Sequence, residues 1–393
     1  MDETLSLYVH IPFCRSKCAY CDFNSYAGQE ALIPAYVGAL LQEARAWSRV
    51  CGGKRVETVY FGGGTPSLLP LAEAERLIEG LRQRFAVATE AEVSLEANPE
   101  SVDLAYLRGL RTLGFNRLSL GVQSFDEEEL RFLGRIHTAA EAAAAYDAAR
   151  RAGFADVGLD LIFGLPEQRP SRWRRSLARA LRLGPEHLSL YALTVEEGTP
   201  LARAMSEGKV EEPDEDAQAA MYTESEERLE AAGYEHFEIS NWARPGHLCR
   251  HNLTYWETRP YLGLGAGAHS YLGGCRFANT PLPKDYIDLV RASGPPEEER
   301  GGLDLSRMPQ VTSLERLDAQ TEMADTVILG LRLTEGVALD GFRQRFGVGL
   351  EERYAQEISE LTAWGLLEVS GGRLRLTKRG HLLANEAFLR FLP

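Results

Sequence analysis

Through the first half of the chain, short runs of aliphatic and β-branched residues alternate with longer stretches whose apolar positions recur every three to four residues. The runs predict strands at Leu5–His10, Val56–Phe61, Glu92–Glu96, Arg117–Gly121, Val157–Phe163 and His187–Leu193. The stretches between them predict helices at Pro34–Val50, Leu71–Phe85, Leu104–Leu113, Ala139–Ala152 and Ser171–Leu183. Apolar strands separated by helices of this length build a parallel sheet from βα units. Repeated over residues 1–200, the units predict an α/β fold with a partial (β/α)6 barrel, an incomplete relative of the eight-stranded one. Functional groups should then sit at the C-terminal strand ends. The sequence places HIPFCRSKCAYC, GGGTP (Gly62–Pro66), Glu96 in LEANP, Gln123 in GVQSF, Asp160 in GLDLIFGLP and Thr194 in YALTVEEGTP there. Glycine and proline alone would only mark strand ends, whereas polar groups recurring at the same end of several strands point to a site.

After about residue 200 the alternation stops. A charged helix is predicted at Pro213–Ala232 within an irregular connecting region, 201–300, rich in aromatics, glycine and histidine. GPPEEERGGL (294–303) reads as an exposed linker. Helices are expected at Leu314–Leu331, Leu339–Phe346 and Leu350–Trp364, then a hairpin turning at Gly371–Gly372 and a last helix at Arg379–Leu392. Helices followed by a hairpin predict a C-terminal winged-helix-like α+β domain over 304–393.

Composition narrows the class. Of 393 residues, 44% are hydrophobic, enough for sizeable cores, and 25% are charged. A net charge of −14 argues against nucleic acid as the main partner, because phosphate binding needs a basic face. The small basic strip Arg373, Arg375, Lys378 and Arg379 is accordingly expected to be a solvated wing. The start, MDETLSLYVHIPF, lacks the basic front and apolar centre of a signal peptide. No uncharged apolar run reaches the length of roughly 18–20 residues that spans a bilayer. A cytoplasmic location is therefore expected, and six cysteines there are metal ligands or buried thiols rather than disulfides. Cys51, Cys249 and Cys275 are expected to be buried.

Cys14, Cys18 and Cys21 form C-x3-C-x2-C directly after the first strand. Three thiolates on one loop can each ligate an iron of a [4Fe-4S] cluster and leave the fourth iron for a small molecule. A structural zinc site normally takes four protein ligands, which would require His10 or a more distant group. The run YVHIPFCRSKCAYCDF resembles the radical-SAM proteins, in the subgroup of oxygen-independent coproporphyrinogen III oxidases and their relatives. That resemblance covers nearly the whole chain and implies a TIM-like radical-SAM barrel, a [4Fe-4S] cluster and S-adenosyl-L-methionine. The cofactor's amino and carboxylate groups would bind the open iron, and cluster reduction would release a 5′-deoxyadenosyl radical. It further implies cofactor contacts for Tyr8 and Tyr20, the latter packed by the adenine. Gly63, Gly64 and Thr65 would receive the methionine amino group, and Glu96, Gln123, Arg135 and Asp160 would surround the ribose and carboxylate.

Two departures separate the chain from the oxidases. They continue their third cysteine as C-x-C, where this chain has Phe23, and they carry an extension ahead of a first strand that here begins by Leu5. His251-Asn252-Leu253-Thr254-Tyr255 is similar instead to the HNxxY motif of the haem-chaperone branch. That likeness implies haem as a third cofactor, bound by His251 and flanked by Tyr255, Trp256 and Trp242. His247 is the rival ligand, and His10 and His269 are weaker ones. It also implies haem-accepting partners (respiratory haem enzymes or haem-storage proteins) and a reductant for the cluster. A homodimer and a peripheral membrane contact stay open, as does catalysis: the alternative is an enzyme that oxidises coproporphyrinogen or a related tetrapyrrole.

Overall fold

The first strand, β1 (Thr4–Ile11), sets the pattern of the fold. Leu5, Leu7, Val9 and Ile11 join an apolar cluster shared with the flanking helices, while Ser6, Tyr8 and His10 between them turn to the opposite face. The structure, a computed structural model, describes residues 4–51, 53–294, 297–299 and 302–393. Next come two short paired strands, β2 (Phe13–Cys14) and β3 (Tyr26–Ala27). Then follow α1 (Ile33–Cys51) and β4 (Arg55–Gly63), α2 (Leu71–Arg82) and β5 (Ala86–Ala97), and α3 (Leu104–Thr112) and β6 (Arg117–Gln123). The repeat ends with α4 (Glu127–Phe132), α5 (Ala139–Ala152) and β7 (Asp156–Phe163), then α6 (Pro170–Leu183) and β8 (His187–Ala192).

Strands β1, β4, β5, β6, β7 and β8 lie side by side and parallel, which is the six-stranded arc the apolar runs predict. Local chemistry sets the helix ends. Thr138 and Glu141 form a capping box at the start of α5, and Gly153 ends it in the left-handed conformation. Strand β5 starts at Ala86 rather than Glu92, because its first half is largely exposed and carries no apolar run. The helix α4, absent from the sequence reading, is held by the Asp126 carboxylate, which accepts from the N–H groups of Glu128 and Glu129.

The stretch 201–300 is not irregular. It contains α7 (Pro200–Ser206), α8 (Glu215–Ala231), β9 (Glu235–Glu238), β10 (Asn241–Ala243), α9 (Arg250–Trp256), β11 (Tyr261–Leu264), β12 (His269–Leu272), β13 (Cys275–Asn279) and α10 (Pro283–Ala292). Then come β14 (Glu297–Glu299), β15 (Gly302–Asp304) and β16 (Val311–Arg316). At one side of the arc β10 pairs antiparallel with β8, and β9 follows outside it. At the other, β11 pairs parallel with β1, and β12, β13 and β16 continue antiparallel, giving one twelve-stranded sheet. These added strands are three to six residues long, too short to show a periodicity. The expected linker 294–303 lies partly outside the described residues; within them β14 pairs with β15, and Leu303 is buried in the main core. Leu314 belongs to β16 instead of a helix, which starts only after the Asp318 cap.

The C-terminal part has its own apolar centre, including Val327, Leu331, Phe342, Leu361, Leu374 and Phe391. It is built from α11 (Ala319–Gly330), β17 (Val337–Ala338), α12 (Leu339–Phe346), α13 (Leu350–Arg353) and α14 (Ala355–Ala363). The hairpin β18 (Leu367–Ser370) and β19 (Arg373–Leu376) follows, then α15 (Lys378–Leu382) and α16 (Ala384–Leu389). Two predicted helices are each broken in two, at Tyr354 and Leu383, whose backbones leave the helical region. Each basic side chain of the wing strip is engaged within the protein: Arg373 on Glu335, Arg375 on Glu368, Lys378 near Glu226 and Arg379 on the Trp364 carbonyl. Among the described residues no helix is long and apolar enough to cross a membrane.

Candidate functional site

The loop that carries Cys14, Cys18 and Cys21 leaves β1 at the C-terminal mouth of the barrel. Cys14 is buried, and Cys18 and Cys21 are partly exposed. The Thr65 hydroxyl donates to Cys14 Sγ at 3.4 Å, and the Arg135 guanidinium donates to Cys18 Sγ at 3.5 Å. Burial pushes the Cys14 and Cys21 thiols up, with hydroxyl donors such as Thr65 and Ser25 opposing it. A bound cation would favour the thiolate forms of Cys14 and Cys21 against that burial. The one His/Cys/Asp/Glu group of three among the described residues whose ligand atoms lie within 4.8 Å of one another lies elsewhere. His10 is not positioned as a fourth ligand: Nδ1 is 3.0 Å from the Tyr8 hydroxyl and Nε2 is 2.8 Å from the Asn24 carbonyl.

The turn after β4 is stitched to this loop. Gly64 N–H donates to Ile11 O and Thr65 N–H to Phe13 O, at 2.9 and 2.8 Å. Gly63 has φ +115°, and a Cβ there would lie 2.4 Å from the His10 ring. A Cβ on Gly64 would lie 2.8 Å from Phe13 O. These glycines are thus required by the protein's own packing as well as by any ligand that approaches the turn.

Strand alternation lines the lumen with polar groups. Glu96 accepts from the Tyr60 hydroxyl (2.7 Å) and from Gly63 N–H (3.0 Å). Asp160 accepts from Ser119 at about 3 Å on both oxygens. Gln123 is held at φ +64°, a left-handed conformation that costs energy in a residue with a side chain. Arg135 donates through Nη2 to Asn98 Oδ1 (2.6 Å) and Gly121 O (2.9 Å), while its buried Nε has no partner. Tyr20 packs on the apolar patch of Leu133, Ile162, Leu165, Leu193 and Leu201. A ligand with both ammonium and carboxylate groups finds acceptors in Glu96 and Asp160 and a donor in Arg135.

Burial pushes Glu96 up to about 7, helped by Asp160 and opposed by the bonds from Tyr60 and Gly63. From its ordinary value of 4.5 up to about 7, the folded chain holds a proton that the unfolded chain lacks. The stabilisation is complete below the lower value and is lost as pH rises through the upper one. Between about pH 5 and pH 8 the wild type is expected to lose on the order of 1 to 3 kcal/mol through this group, and Glu96→Gln lacks that component. Urea unfolding at the two pH values checks this, and equal pH slopes in both proteins would contradict it.

His251 is not displayed to solvent. Glu92 on β5 accepts from the N–H groups of Arg250 and His251, both at 3.0 Å, and so holds the first turn of α9 against the N-terminal end of the barrel. The side chain then enters the lumen, 1% exposed. Nδ1 meets Thr58 Oγ1 at 2.7 Å and Nε2 meets the Tyr255 hydroxyl at 2.9 Å. The ring stacks on Tyr60 at 4.9 Å, with Tyr8 at 6.3 Å, and burial lowers its pKa to about 3. His247 is tied to Asp156 at 3.2 Å, His269 sits exposed on β12, and Trp242 is buried against His236. Tyr8, Gly63, Gly64, Thr65, Glu96, Arg135 and the cysteines therefore share one mouth, Asp160 lines the same lumen, and His251 lies beneath the tyrosines. Sequence reasoning missed Tyr60, Asn98 and Glu92, although strand parity with Thr58 and Glu96 marks Tyr60 and Glu92 as lumen-facing.

On its far side α9 borders a cleft of about 270 Å³ whose walls include Tyr255, Trp256, Tyr261, Tyr271, Arg276, Leu329 and the carboxylates of Glu322 and Asp325. The buried Trp256 indole N–H has no partner.

The chain matches a model of the Radical SAM superfamily over residues 8–180 and one of the HemN C-terminal domain over 317–383. It is 36% identical to the "Heme chaperone HemW" of Bacillus subtilis (strain 168), covering 98% of this chain and 99% of that one. It is 35% identical to the mitochondrial "Radical S-adenosyl methionine domain-containing protein 1" of Mus musculus, over 99% of this chain and 87% of that one. Among solved structures, the coproporphyrinogen III oxidase HemN of Escherichia coli, described as a radical SAM enzyme, superposes with a TM-score of 0.83. That match has 27% identity over 99% of this chain and 90% of the oxidase.

Proposed function

Since the chain belongs to the HemW family of radical-SAM haem chaperones, we propose that it binds haem and passes it to haem-requiring proteins. The fold brings with it a [4Fe-4S] cluster and S-adenosyl-L-methionine. We assign the cluster to Cys14, Cys18 and Cys21, and the methionine-derived ligand to the mouth around Gly63, Gly64, Thr65, Glu96, Gln123, Arg135 and Asp160, with Tyr8 and Tyr20 alongside. Bound there, the cluster and S-adenosyl-L-methionine would supply one-electron chemistry. This chain's residues would orient that ligand and shield it: Arg135 toward a carboxylate, Glu96 and Asp160 toward hydroxyls or an ammonium, and Tyr20 as an apolar wall.

The observation that carries the haem assignment is the double role of Tyr255. It holds His251 Nε2 from one side and walls the aromatic cavity on the other. The aromatic walls suit a flat apolar ligand, and a propionate would compete with Asp325 for the Arg276 guanidinium, which is ion-paired with it. Loss of the bond from Tyr255 would free His251 Nε2, and this shared residue is what supports a haem site at α9.

Anaerobic haem titration tests the assignment. Wild type is expected to develop a Soret band, and Trp256→Ala and Tyr271→Ala to bind at least about tenfold more weakly. Tyr255→Phe, which frees Nε2, should bind at least as tightly as wild type. No Soret band in wild type, or unchanged affinity in both cavity variants, would overturn the proposal. The same protein incubated with coproporphyrinogen and S-adenosyl-L-methionine is expected to give no vinyl product, since a shared fold alone does not confer the oxidase reaction.

A further inference from the structure

Where the C-terminal part meets the barrel, three side chains from separate elements converge: Glu226 on α8, His236 on β9 and His381 on α15. Their ligating atoms all lie within 4.8 Å of one another. His236 Nδ1 is 3.4 Å and His381 Nδ1 is 3.8 Å from the same oxygen, Glu226 Oε1. Ligands held about 2.0–2.2 Å from a tetrahedral zinc sit roughly 3.3–3.5 Å apart, so the present arrangement is close to a coordination sphere.

Two details favour a cation over a plain hydrogen-bonded cluster. The side chain of His381 is only 8% exposed, yet neither ring nitrogen comes within 3.5 Å of a hydrogen-bond partner, the Glu226 oxygen at 3.8 Å from Nδ1 being its polar neighbour, a costly state for a buried imidazole. His236 Nε2 lies 3.4 Å from the Ile239 carbonyl and 3.5 Å from the Tyr222 hydroxyl, which itself donates to that carbonyl at 2.9 Å, so both contacts suit a proton on Nε2. In the neutral ring that leaves a lone pair on Nδ1 aimed at a carboxylate, an arrangement that a metal between them satisfies. A carbonyl behind the imidazole is also the usual outer support of a metal-bound histidine. Trp242 stacks on the His236 ring at 4.4 Å and fixes its plane. Lys378 approaches the other oxygen, Oε2, at 3.8 Å, and its exposed ammonium can turn out to solvent.

We propose that Glu226, His236 and His381 form a two-histidine, one-carboxylate site for a first-row divalent cation, zinc above all, separate from the cluster cysteines. Imidazole and carboxylate donors suit zinc or iron(II), and three protein ligands leave at least one position for water. Because His381 belongs to the C-terminal part while Glu226 and His236 belong to the barrel part, the ion fastens one to the other.

The test uses protein with its cluster reconstituted anaerobically, equilibrated with Zn²⁺ and freed of loosely bound metal by gel filtration. Wild type should retain one zinc per chain beyond the cluster's iron. His236→Ala and His381→Ala should each bind at least about tenfold more weakly, with iron content and cluster absorption unchanged as the check on folding. Should His236→Ala fail to fold, the milder variant His381→Gln carries the same expectation. Cobalt(II) in place of zinc should give d–d bands without thiolate-to-cobalt charge transfer. A wild type that retains no zinc, variants that retain as much as wild type, or a thiolate charge-transfer band would each overturn the proposal.

Discussion

Cys18→Ala is expected to abolish the cluster, taking iron and sulfide from about four of each per chain to near zero. Cys18 sits between its two partners on one loop, so its loss leaves two thiolates for four irons. Its sulfur receives the Arg135 guanidinium at 3.5 Å, and that interaction disappears with it. The fold should survive: the residue is only partly buried and belongs to no regular element. A change in unfolding free energy below about 1 kcal/mol is expected for the cluster-free protein. Iron analysis and urea unfolding together check both halves, and a fully iron-loaded variant would refute the ligand assignment. Cys275→Ala is the useful control, since that thiol is buried within the β13 region of the core rather than in the loop.

His251→Ala should behave in the opposite way, damaging the fold before any chemistry. The ring fills the floor of the lumen between Thr58, Tyr60 and Tyr255. Removing it opens a cavity and strands two buried hydroxyls, which together should cost about 3–5 kcal/mol. Urea unfolding of the variant measures this, and a cost below about 1 kcal/mol would mean the side chain is not held as described. Lost haem binding in His251→Ala therefore cannot by itself assign a ligand. The cavity variants Trp256→Ala and Tyr271→Ala carry that question better, because both residues lie outside the lumen.

The parts of the molecule legible in the sequence are those fixed by local chemistry. Parallel strands buried on their outer face, such as the run Leu5, Leu7, Val9 and Ile11, show as apolar pulses, and the cysteine loop and GGGTP turn punctuate them visibly. What stayed hidden depends on distant partners. Strands β9 to β13 are short and gain their identity only by pairing outward from β8, through β10, and from β1, through β11. The HNLTY segment reads as a motif awaiting a ligand, but Glu92, 159 positions away from His251, anchors α9 and sends the histidine inward. Tyr60 and Asn98 carry no motif of their own; strand parity places the first in the lumen, and the Arg135 bond marks the second.

The pairing of β1 with β11 sets an order of events for a chain made from its N-terminus. Strand β1, which carries the cluster loop, finds β4 some fifty residues later, but its other edge stays open until Tyr261 has been synthesised to meet Ser6. For most of translation the wall beside the cysteines is an unpaired strand edge, a feature that invites wrong partners. Closing so long a loop is slow relative to local βα assembly. Helix α9 immediately precedes β11, so the floor and the final wall of the lumen arrive together. The mouth that carries Cys14, Cys18 and Cys21 is thus the first part of the barrel to be made and among the last to be sealed.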